Sequence, residues 1–111
     1  MSKVALLVEI DVVEGRMEPF MKALMTHAAN SQRDEKGTLN FDVMRGAKPG
    51  EVRGVLDEWL PKDQNKVWLY ELYENQTAMD IHMEGQSLAE YRNNVDGLVK
   101  GMTVVTCLTV D

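Results

Sequence analysis

Hydrophobic periodicity divides the chain into strands and helices. Runs rich in Val, Leu, Ile and aromatic residues, each of strand length and bounded by turn residues, predict four strands. These strands are predicted at residues 3–13, 38–45, 66–74 and 102–110. In the second strand we expect Leu39 and Phe41 on one face and Thr38 and Asn40 on the other, because successive side chains of a strand point to opposite faces.

A first helix is predicted at residues 17–34. Phe20, Leu24 and Ala28 recur every four positions and form an apolar stripe along one side of it. Pro19 fits the first turn, where a missing backbone N–H costs no hydrogen bond. The helix therefore packs its apolar side on the sheet.

A second helical region is predicted between the third and fourth strands. It begins near residue 75, with Asn75 or Thr77 as the capping residue, and its first part covers residues 75–85. Its second part covers residues 87–101, where the apolar residues again recur every three to four positions.

The order β-α-β-β-α-β predicts a ferredoxin-like α+β fold, a four-stranded antiparallel sheet with both helices on one face. The length suits a single domain over residues 1–111. Apolar side chains lie on both sides of the strands, so the second face needs a cover. We therefore expect a homodimer packed sheet to sheet.

The connection between the second and third strands, residues 46–66, is long for a hairpin and contains three glycines and two prolines. Loops of this length are often functional lids. We expect a short helix or extra strand within it. Trp59 and Leu60 are predicted to pack over a cleft or across the dimer.

Composition excludes several classes of protein. The net charge is −6, and no basic stripe exists that would neutralise nucleic-acid phosphates. The single cysteine, Cys107, forms no intrachain disulfide and is expected to act as a small apolar residue in the last strand. The apolar N-terminal run is interrupted by Glu9 and Asp11, so neither a signal peptide nor a membrane span is predicted, and a cytoplasmic protein is expected.

The stretch "VWLYELYENQTAMDIH", residues 67–82, carries the candidate chemistry. Strand alternation puts Glu71 and Tyr73 on one face, and Trp68 on the other with Tyr70 and Leu72. If the following helix packs back on the strand, His82 approaches Glu71. A carboxylate beside an imidazole fixes its tautomer and favours its protonated form, so the pair could act as a base and its orienting group. A structural ion pair that anchors the helix is the competing interpretation.

Other titratable groups give weaker indications. His27 lies on or beside the apolar side of the first helix and could line the same cleft. No close His/His or His/Cys spacing predicts a metal site, because such a site needs three or four converging ligands. No dinucleotide-binding or Walker glycine loop and no Gly-x-Ser-x-Gly elbow is present.

Three stretches in order, "LVEIDVVEGRMEPFMKAL", "EKGTLNFDVMR" and "WLYELYENQTAMDIHM", resemble the antibiotic-biosynthesis monooxygenase family, with the nearest likeness to its quorum-signal isomerase branch. The resemblance implies a dimeric α/β barrel with a cleft between sheet and helices in each subunit. Glu71 and His82 match the family's recurrent acid and histidine, and Tyr73 falls where relatives place an aromatic residue at the cleft. Members of this family include cofactor-independent monooxygenases acting on quinols and polyketide anthrones, haem-degrading enzymes and the isomerase.

Two departures from the family pattern lie near the expected cleft. The connection at 46–66 is longer than usual, and the run after His82 reads "MEGQSLAEY" instead of a Thr-Pro-His-Phe-like sequence. The substrate therefore cannot be carried over from the resemblance.

The resulting functional prediction is a cofactor-independent monooxygenase that deprotonates a small quinol, phenol or polyketide-like substrate. The alternatives are a proton-transfer isomerase of a small phosphorylated dicarbonyl, with Arg45, Lys48 and Arg53 as phosphate-binding candidates, and a non-catalytic ligand-binding dimer. No flavin, metal or other cofactor is expected. The predicted catalytic residues are His82, Glu71 and Tyr73, and the predicted substrate-binding residues are Asn40, His27, Trp68, Trp59 and Tyr91.

Overall fold

The computed structural model describes residues 2–111. Four strands, three α-helices and a 3₁₀ turn follow one another along the chain. In order they are β1 (Val4–Val12), α1 (Met17–Asp34), β2 (Thr38–Arg45), the 3₁₀ turn (Asp57–Trp59), β3 (Lys66–Tyr73), α2 (Gln76–Met83), α3 (Gln86–Asn94) and β4 (Val99–Leu108).

The strands form an antiparallel sheet in the order β2-β3-β1-β4. This is the predicted α+β, ferredoxin-like arrangement. Directly opposed residues share a face of the sheet. One face carries Val8 with its opposed residues Leu69 and Val104, and the other carries Leu7 with Tyr70 and Val105. We call them the inner face, which packs on the helices, and the outer face.

The hydrophobic core lies between the inner face and α1. Phe20 and Leu24 of α1 are fully buried against Val8 and Leu69 of the sheet. Removing one such side chain to Ala typically costs 2–5 kcal/mol, so the stripe predicted in α1 holds the helix on the sheet. The inner face is less covered at its β4 edge, where Met102 remains 63% exposed.

The ends of the second helical region differ from the prediction. Instead of one run to residue 101, α2 ends at Met83, α3 begins after Gly85 and ends at Asn94, and β4 begins at Val99. Gly97 has a φ of 79°, a left-handed conformation that glycine adopts without steric cost, and the chain turns there into the strand. β4 therefore begins three residues earlier than predicted.

A bulge changes the side-chain alternation in β2. Thr38 pairs with Tyr73 and Asn40 with Leu72, so Leu39 has no opposed residue. Leu39 is 41% exposed, whereas Phe41 is buried, and the expectation that they share a face is wrong. The expectation that Thr38 and Asn40 share a face is wrong for the same reason, since Thr38 is buried on the inner face and Asn40 lies on the outer one.

The start of α2 is fixed by a side-chain cap and by a glycine. The Asn75 side chain accepts a hydrogen bond from the backbone N–H of Ala78 at 2.9 Å, so Asn75 and not Thr77 is the capping residue. Gly37 has a φ of 93°, and a Cβ there would lie 2.6 Å from Ala78 Cβ. The missing side chain lets α2 approach the start of β2, which positions His82 over the sheet.

The connection between Arg45 and Lys66 does not form a lid over the inner face of this chain. Its short regular segment, Asp57–Trp59, leaves Trp59 65% exposed. Gly46 contacts Pro61, and Arg45 pairs with Glu51 at 2.8 Å, so the connection folds on itself near the edge strand β2. A role for Trp59 and Leu60 across a dimer stays a prediction.

Within residues 2–111, the helices lack the combination of length and apolar character that crossing a bilayer requires.

Candidate functional site

A cavity of about 530 Å³ opens between the inner face and the helices α1, α2 and α3. Its size lies in the range of small-molecule sites. Its walls are mostly apolar, with a polar patch formed by His27, Glu71, His82, Tyr91 and Arg92. Met102 and Val104 of β4 line its more exposed side. A largely apolar molecule with one or two polar groups suits this shape.

Strand alternation places Glu71 and Tyr73 on the inner face, as predicted. The Tyr73 hydroxyl donates a hydrogen bond to Glu71 Oε1 at 2.5 Å. Glu71 lines the cavity, whereas Tyr73 is fully buried behind it and is not part of the wall formed by residues 2–111. Tyr73 therefore orients Glu71 and does not itself face the cavity.

His82 lies on the side of α2 that packs on the sheet, and it is 2% exposed. Its Nε2 is 3.7 Å from Glu71 Oε1, beyond hydrogen-bond distance, and its Nδ1 is 2.7 Å from Glu35 Oε1. A carboxylate accepts the proton on Nδ1, so the lone pair of the neutral ring lies on Nε2. The structure thus brings His82, Glu71 and Tyr73 together, with Nε2 free for proton transfer.

Glu35 was missed in the sequence. It follows the last turn of α1, and Ser31 lies beside it with Oγ 3.4 Å from His82 Nδ1. His27, Ser31 and Glu35 are spaced four residues apart, which places polar residues along one side of a helix. That spacing was the available signal, and it was hidden by the stronger apolar stripe.

Burial perturbs the two side chains at the back of the site. Desolvation raises the pKa of Glu71 above its ordinary value, and the nearby charge of Glu35 adds to this, while the hydrogen bond from Tyr73 and the charge of His82 oppose it. Burial also raises the pKa of Tyr73 far above that of a free phenol, with a further contribution from Glu71. Tyr73 is therefore a hydrogen-bond donor and not a base.

His27 and Tyr91, both predicted to bind substrate, lie together on the cavity wall. Their rings stack with centroids 4.9 Å apart and planes inclined by 20°. Burial, followed by the charges of His82 and Arg92, lowers the pKa of His27 to about 4, although contact with Ser87 opposes the shift. Burial raises the pKa of Tyr91 to about 12, with a further contribution from Glu71. Both side chains are therefore neutral near pH 7.

Three predicted substrate-binding residues lie elsewhere. Among residues 2–111, the side chains that line the cavity do not include Asn40, Trp59 or Trp68. Asn40 pairs with Leu72 and lies on the outer face, opposite to its neighbour Phe41. Trp68 also alternates onto the outer face, where its Nε1–H donates to Glu9 at 3.0 Å. Trp59 is exposed on the folded connection. These placements correct the expectation that the three residues face the cleft.

Cys107 lies in β4 opposite Ala5 and is partly exposed, so the sheet does not bury it completely. In the described part of the chain, no three His, Cys, Asp or Glu side chains are arranged to hold a metal ion.

The arrangement can move a proton between a bound molecule and His82. Glu35 fixes the imidazole through Nδ1, and Glu71 lies near Nε2, so a proton taken up on Nε2 is stabilised by a carboxyl on either side of the ring. The mostly apolar walls strengthen these electrostatic interactions, because water screens them less there than at an open surface. The fold and the cavity define a ferredoxin-like α+β protein with a site suited to acid–base chemistry.

The chain belongs to the antibiotic biosynthesis monooxygenase family, whose model matches residues 3–94. No functionally curated protein matches the chain in sequence. The family match covers β1 to the end of α3, and therefore Glu35, Glu71 and His82.

Solved structures with low sequence identity to the chain share its fold. A candidate antibiotic biosynthesis monooxygenase from Caulobacter crescentus has a TM-score of 0.82 at 15% identity, over 99% of this chain and 92% of its own. One from Nitrosomonas europaea has a TM-score of 0.75 at 21% identity, over 94% of this chain and 95% of its own. A candidate monooxygenase from Lactobacillus acidophilus has 24% identity and a TM-score of 0.78, with 96% of this chain matching 44% of that one. At these identities the likeness establishes the fold.

Proposed function

We propose that the protein is a monooxygenase that acts without flavin or metal on a small quinol, phenol or polyketide-like substrate. The observation that carries the proposal is His82, held by Glu35 at 2.7 Å through Nδ1, on the wall of a largely apolar cavity of about 530 Å³. Membership of the monooxygenase family supports the same chemistry.

In the proposed reaction, His82 Nε2 removes a proton from an acidic C–H or O–H group of the bound substrate. The resulting electron-rich anion reduces O₂. For a methylene carbon beside an aromatic ketone, the net change is CH₂ + O₂ → C=O + H₂O, so the substrate supplies all the electrons. A positioned base typically contributes about 10²- to 10⁴-fold to such a rate. The charges of Glu35 and Glu71 stabilise the protonated imidazole, and apolar walls protect the carbanion from water.

Oxygen consumption with a panel of anthrones and quinols tests the proposal. We expect uptake of one O₂ for each anthrone converted to the quinone, at a rate unchanged by EDTA. Activity that is lost on chelation, or a flavin absorption spectrum in the purified protein, would contradict the cofactor-free mechanism. Absence of uptake across the panel would contradict the oxygenase itself.

The isomerase alternative has weaker support from the charges. The predicted phosphate-binding residues Arg45 and Lys48 line a separate cleft of about 250 Å³, and Arg45 is paired with Glu51. Within the described part of the chain, Arg92 is the only Lys or Arg that lines the larger cavity, where Asp96 accompanies it. Hydrogen–deuterium exchange at the α-carbon of a phosphorylated dicarbonyl, without O₂ uptake, would favour the isomerase. Ligand binding without either reaction would favour the non-catalytic alternative.

We also propose that the outer face packs on a second copy of the chain. Leu7 of the inner strand β1 and Val105 of the edge strand β4 are opposed on that face and are 46% and 52% exposed, and such paired exposed apolar side chains are typical of an interaction surface. Sedimentation velocity at micromolar concentration should show a dimer, and Val105→Glu should shift it to a monomer. A wild-type monomer, or a Val105→Glu dimer of unchanged affinity, would contradict this packing.

A further inference from the structure

A second histidine adjoins the proposed base and has no role in the proton removal described above. The rings of His27 and His82 have centroids 5.1 Å apart, and both side chains line the cavity. Their Nδ1 atoms have different partners. That of His82 contacts the Glu35 carboxylate, whereas that of His27 lies 2.8 Å from Ser87 Oγ. The Ser87 contact favours a protonated His27 only slightly, and burial outweighs it, whereas a carboxylate stabilises a protonated imidazole by its charge, so the two rings suit different tasks.

The orientation of the His27 ring is fixed from three sides. Tyr91 stacks on it, and Phe41 contacts it edge-on, with centroids 5.3 Å apart and an interplanar angle of 85°. Ser87, in the first turn of α3, holds Nδ1. Rotation of the ring would break the Ser87 contact and the aromatic packing, so Nε2 keeps one direction.

The tautomer of His27 is assigned from the Ser87 contact, whose 2.8 Å distance fits a proton on either atom. Within residues 2–111 the Ser87 hydroxyl makes no other hydrogen bond, so its proton is best placed on His27 Nδ1, and the ring proton then lies on Nε2. His27 Nε2 has no hydrogen-bond partner among those residues. Among the described residues only Thr38 Oγ1 is both fully buried and without a hydrogen-bond partner, so His27 Nε2 retains some accessible surface. Because His27 lines the cavity, we infer that Nε2 opens onto it.

The ring is neutral in the working range of pH. Burial and the charges of His82 and Arg92 lower the pKa of His27 to about 4. A neutral imidazole donates a hydrogen bond to a developing oxyanion without giving up its proton, because it is a much weaker acid than imidazolium. His82 and His27 can therefore work together without competing for the same proton.

We propose that His27 donates its Nε2–H to the substrate oxygen that becomes negatively charged when His82 removes the proton, and that Ser87 is the positioning residue that fixes this tautomer. The substrate is then a phenol, enol or enolisable ketone whose oxygen lies within reach of His27 while its acidic hydrogen faces His82. The proton goes from substrate to His82 Nε2, and His27 keeps its own. The proposal rests on the proposed function for the identity of the reaction, but the hydrogen bond is testable without turnover.

The first test uses 4-nitrophenol as a chromophoric probe, because its phenolate absorbs in the visible range. Wild-type protein should bind the phenolate in preference to the phenol by a factor on the order of tenfold, seen as a lowered apparent pKa of the bound probe. His27→Phe should abolish the preference and Ser87→Ala should reduce it. His27→Gln, whose amide nitrogen can reach the position of Nε2, should restore part of it.

Equal apparent pKa values of the probe in the wild type, Ser87→Ala and His27→Phe would overturn the proposal, and so would failure of the wild type to bind the probe. If O₂ uptake fails across the substrate panel while the phenolate preference and its loss in His27→Phe persist, the proposed function is wrong and the oxyanion site stands.

The second test needs no ligand and reads the tautomer directly. The ¹⁵N chemical shifts of labelled histidine should show His27 with its proton on Nε2 at pH 7, and Ser87→Ala should give a mixture of the two tautomers. A wild-type ring protonated on Nδ1, or a tautomer unchanged in Ser87→Ala, would refute the role of Ser87. Ser87 lies at the start of a helix with an exposed side, so its replacement by Ala should leave the fold intact.

Discussion

Two polar clusters on opposite faces of the sheet are built from similar groups. We call them the buried cluster, made of Glu35, Glu71, Tyr73 and His82, and the surface cluster, made of Glu9, Asp11, Lys66 and Trp68. Each joins two carboxyls to a basic side chain and an aromatic hydrogen-bond donor. In the surface cluster Lys66 Nζ lies 3.2 Å from Glu9 and 2.9 Å from Asp11, whereas the two carboxyls around His82 lie at 2.7 and 3.7 Å.

The clusters differ in their exposure to water. In a single copy of the chain the side chains of Glu9 and Asp11 are both 40% exposed, so solvent screens their attraction to Lys66. Hydrogen bonds to Asp11 and Glu9 raise the pKa of Lys66 above its ordinary value, so Lys66 stays protonated and does not exchange protons near pH 7. The buried cluster instead contains an imidazole and a carboxyl whose pKa is raised by desolvation. Similar pairs of groups therefore give ion pairs on one face and groups suited to proton transfer on the other.

The largest expected contrast concerns activity. His82→Asn keeps an N–H donor near the position of Nδ1, so Glu35 retains its partner, but it removes Nε2. If His82 is the base, kcat for the oxygen-consuming reaction should fall by about 10²- to 10⁴-fold, since that is the usual contribution of a positioned base. Oxygen-electrode rates at saturating substrate measure the change.

The matched control is Glu9→Gln in the surface cluster, which keeps an acceptor for Trp68 Nε1. Its kcat should stay within about twofold of wild type, because surface ion pairs contribute little even to stability. Comparable losses of kcat in the two variants would mean that the buried cluster is no more important for activity than the surface cluster. Full activity in His82→Asn would show that His82 is not the base.

A smaller contrast concerns stability. Tyr73→Phe removes the hydroxyl that donates to buried Glu71, so it should lower the free energy of unfolding by about 1–3 kcal/mol, the cost of an unsatisfied buried group. Trp68→Phe removes the donor to Glu9. In the Val105→Glu background, where the outer face is open to water, water can replace this donor, so the change should cost about 0.5–1.5 kcal/mol. Urea unfolding at pH 7 gives both values. A larger loss of unfolding free energy in Trp68→Phe than in Tyr73→Phe would contradict the expectation that the hydrogen bond in the buried cluster contributes more to stability.

The two clusters also show what the sequence could predict. Alternation in β3 has a period of two, so it separates Glu71 and Tyr73 from Trp68 without any knowledge of the helices. The placement of His82 above Glu71 followed from the helix period once a strand-to-helix turn was assumed. Local periodicity therefore predicted three members of the buried cluster and the β-α-β-β-α-β order.

Features set by tertiary contacts were not accessible in this way. The four-residue spacing from His27 places Glu35 on the same side of α1, but its contact with His82 also needs the close approach of α2 at Gly37, which no local pattern encodes. The bulge at Leu39 is likewise invisible to strict alternation, and it put Thr38 on the inner face beside Tyr73. Ser87 contacts His27 across 60 residues of sequence, and its role depends on the packing of α1 on α3.

The smallest expected contrast is in the pH dependence of stability. The pKa of Glu71 is raised in the folded protein above the ordinary value of 4.5, so between those two pKa values the folded state binds more protons than the unfolded state. Stability should therefore fall as the pH rises from 4.5 through the folded pKa, with a slope of at most about 1.4 kcal/mol per pH unit for one proton. Glu71→Gln, which still accepts from Tyr73, should remove this component of the slope in urea unfolding from pH 3 to 8.

Glu51→Gln supplies a control of opposite sign on the surface. The hydrogen bond from Arg45 lowers the pKa of Glu51 to about 2, so its contribution is present above the ordinary carboxyl pKa and is lost as the pH falls toward 2. Because Glu51 is exposed, the change should be small and should shrink in high salt, whereas the effect of Glu71→Gln should persist. A Glu71→Gln difference that vanishes in salt, or that grows toward low pH, would show that desolvation does not dominate at Glu71. The buried cluster would then behave electrostatically like the surface one.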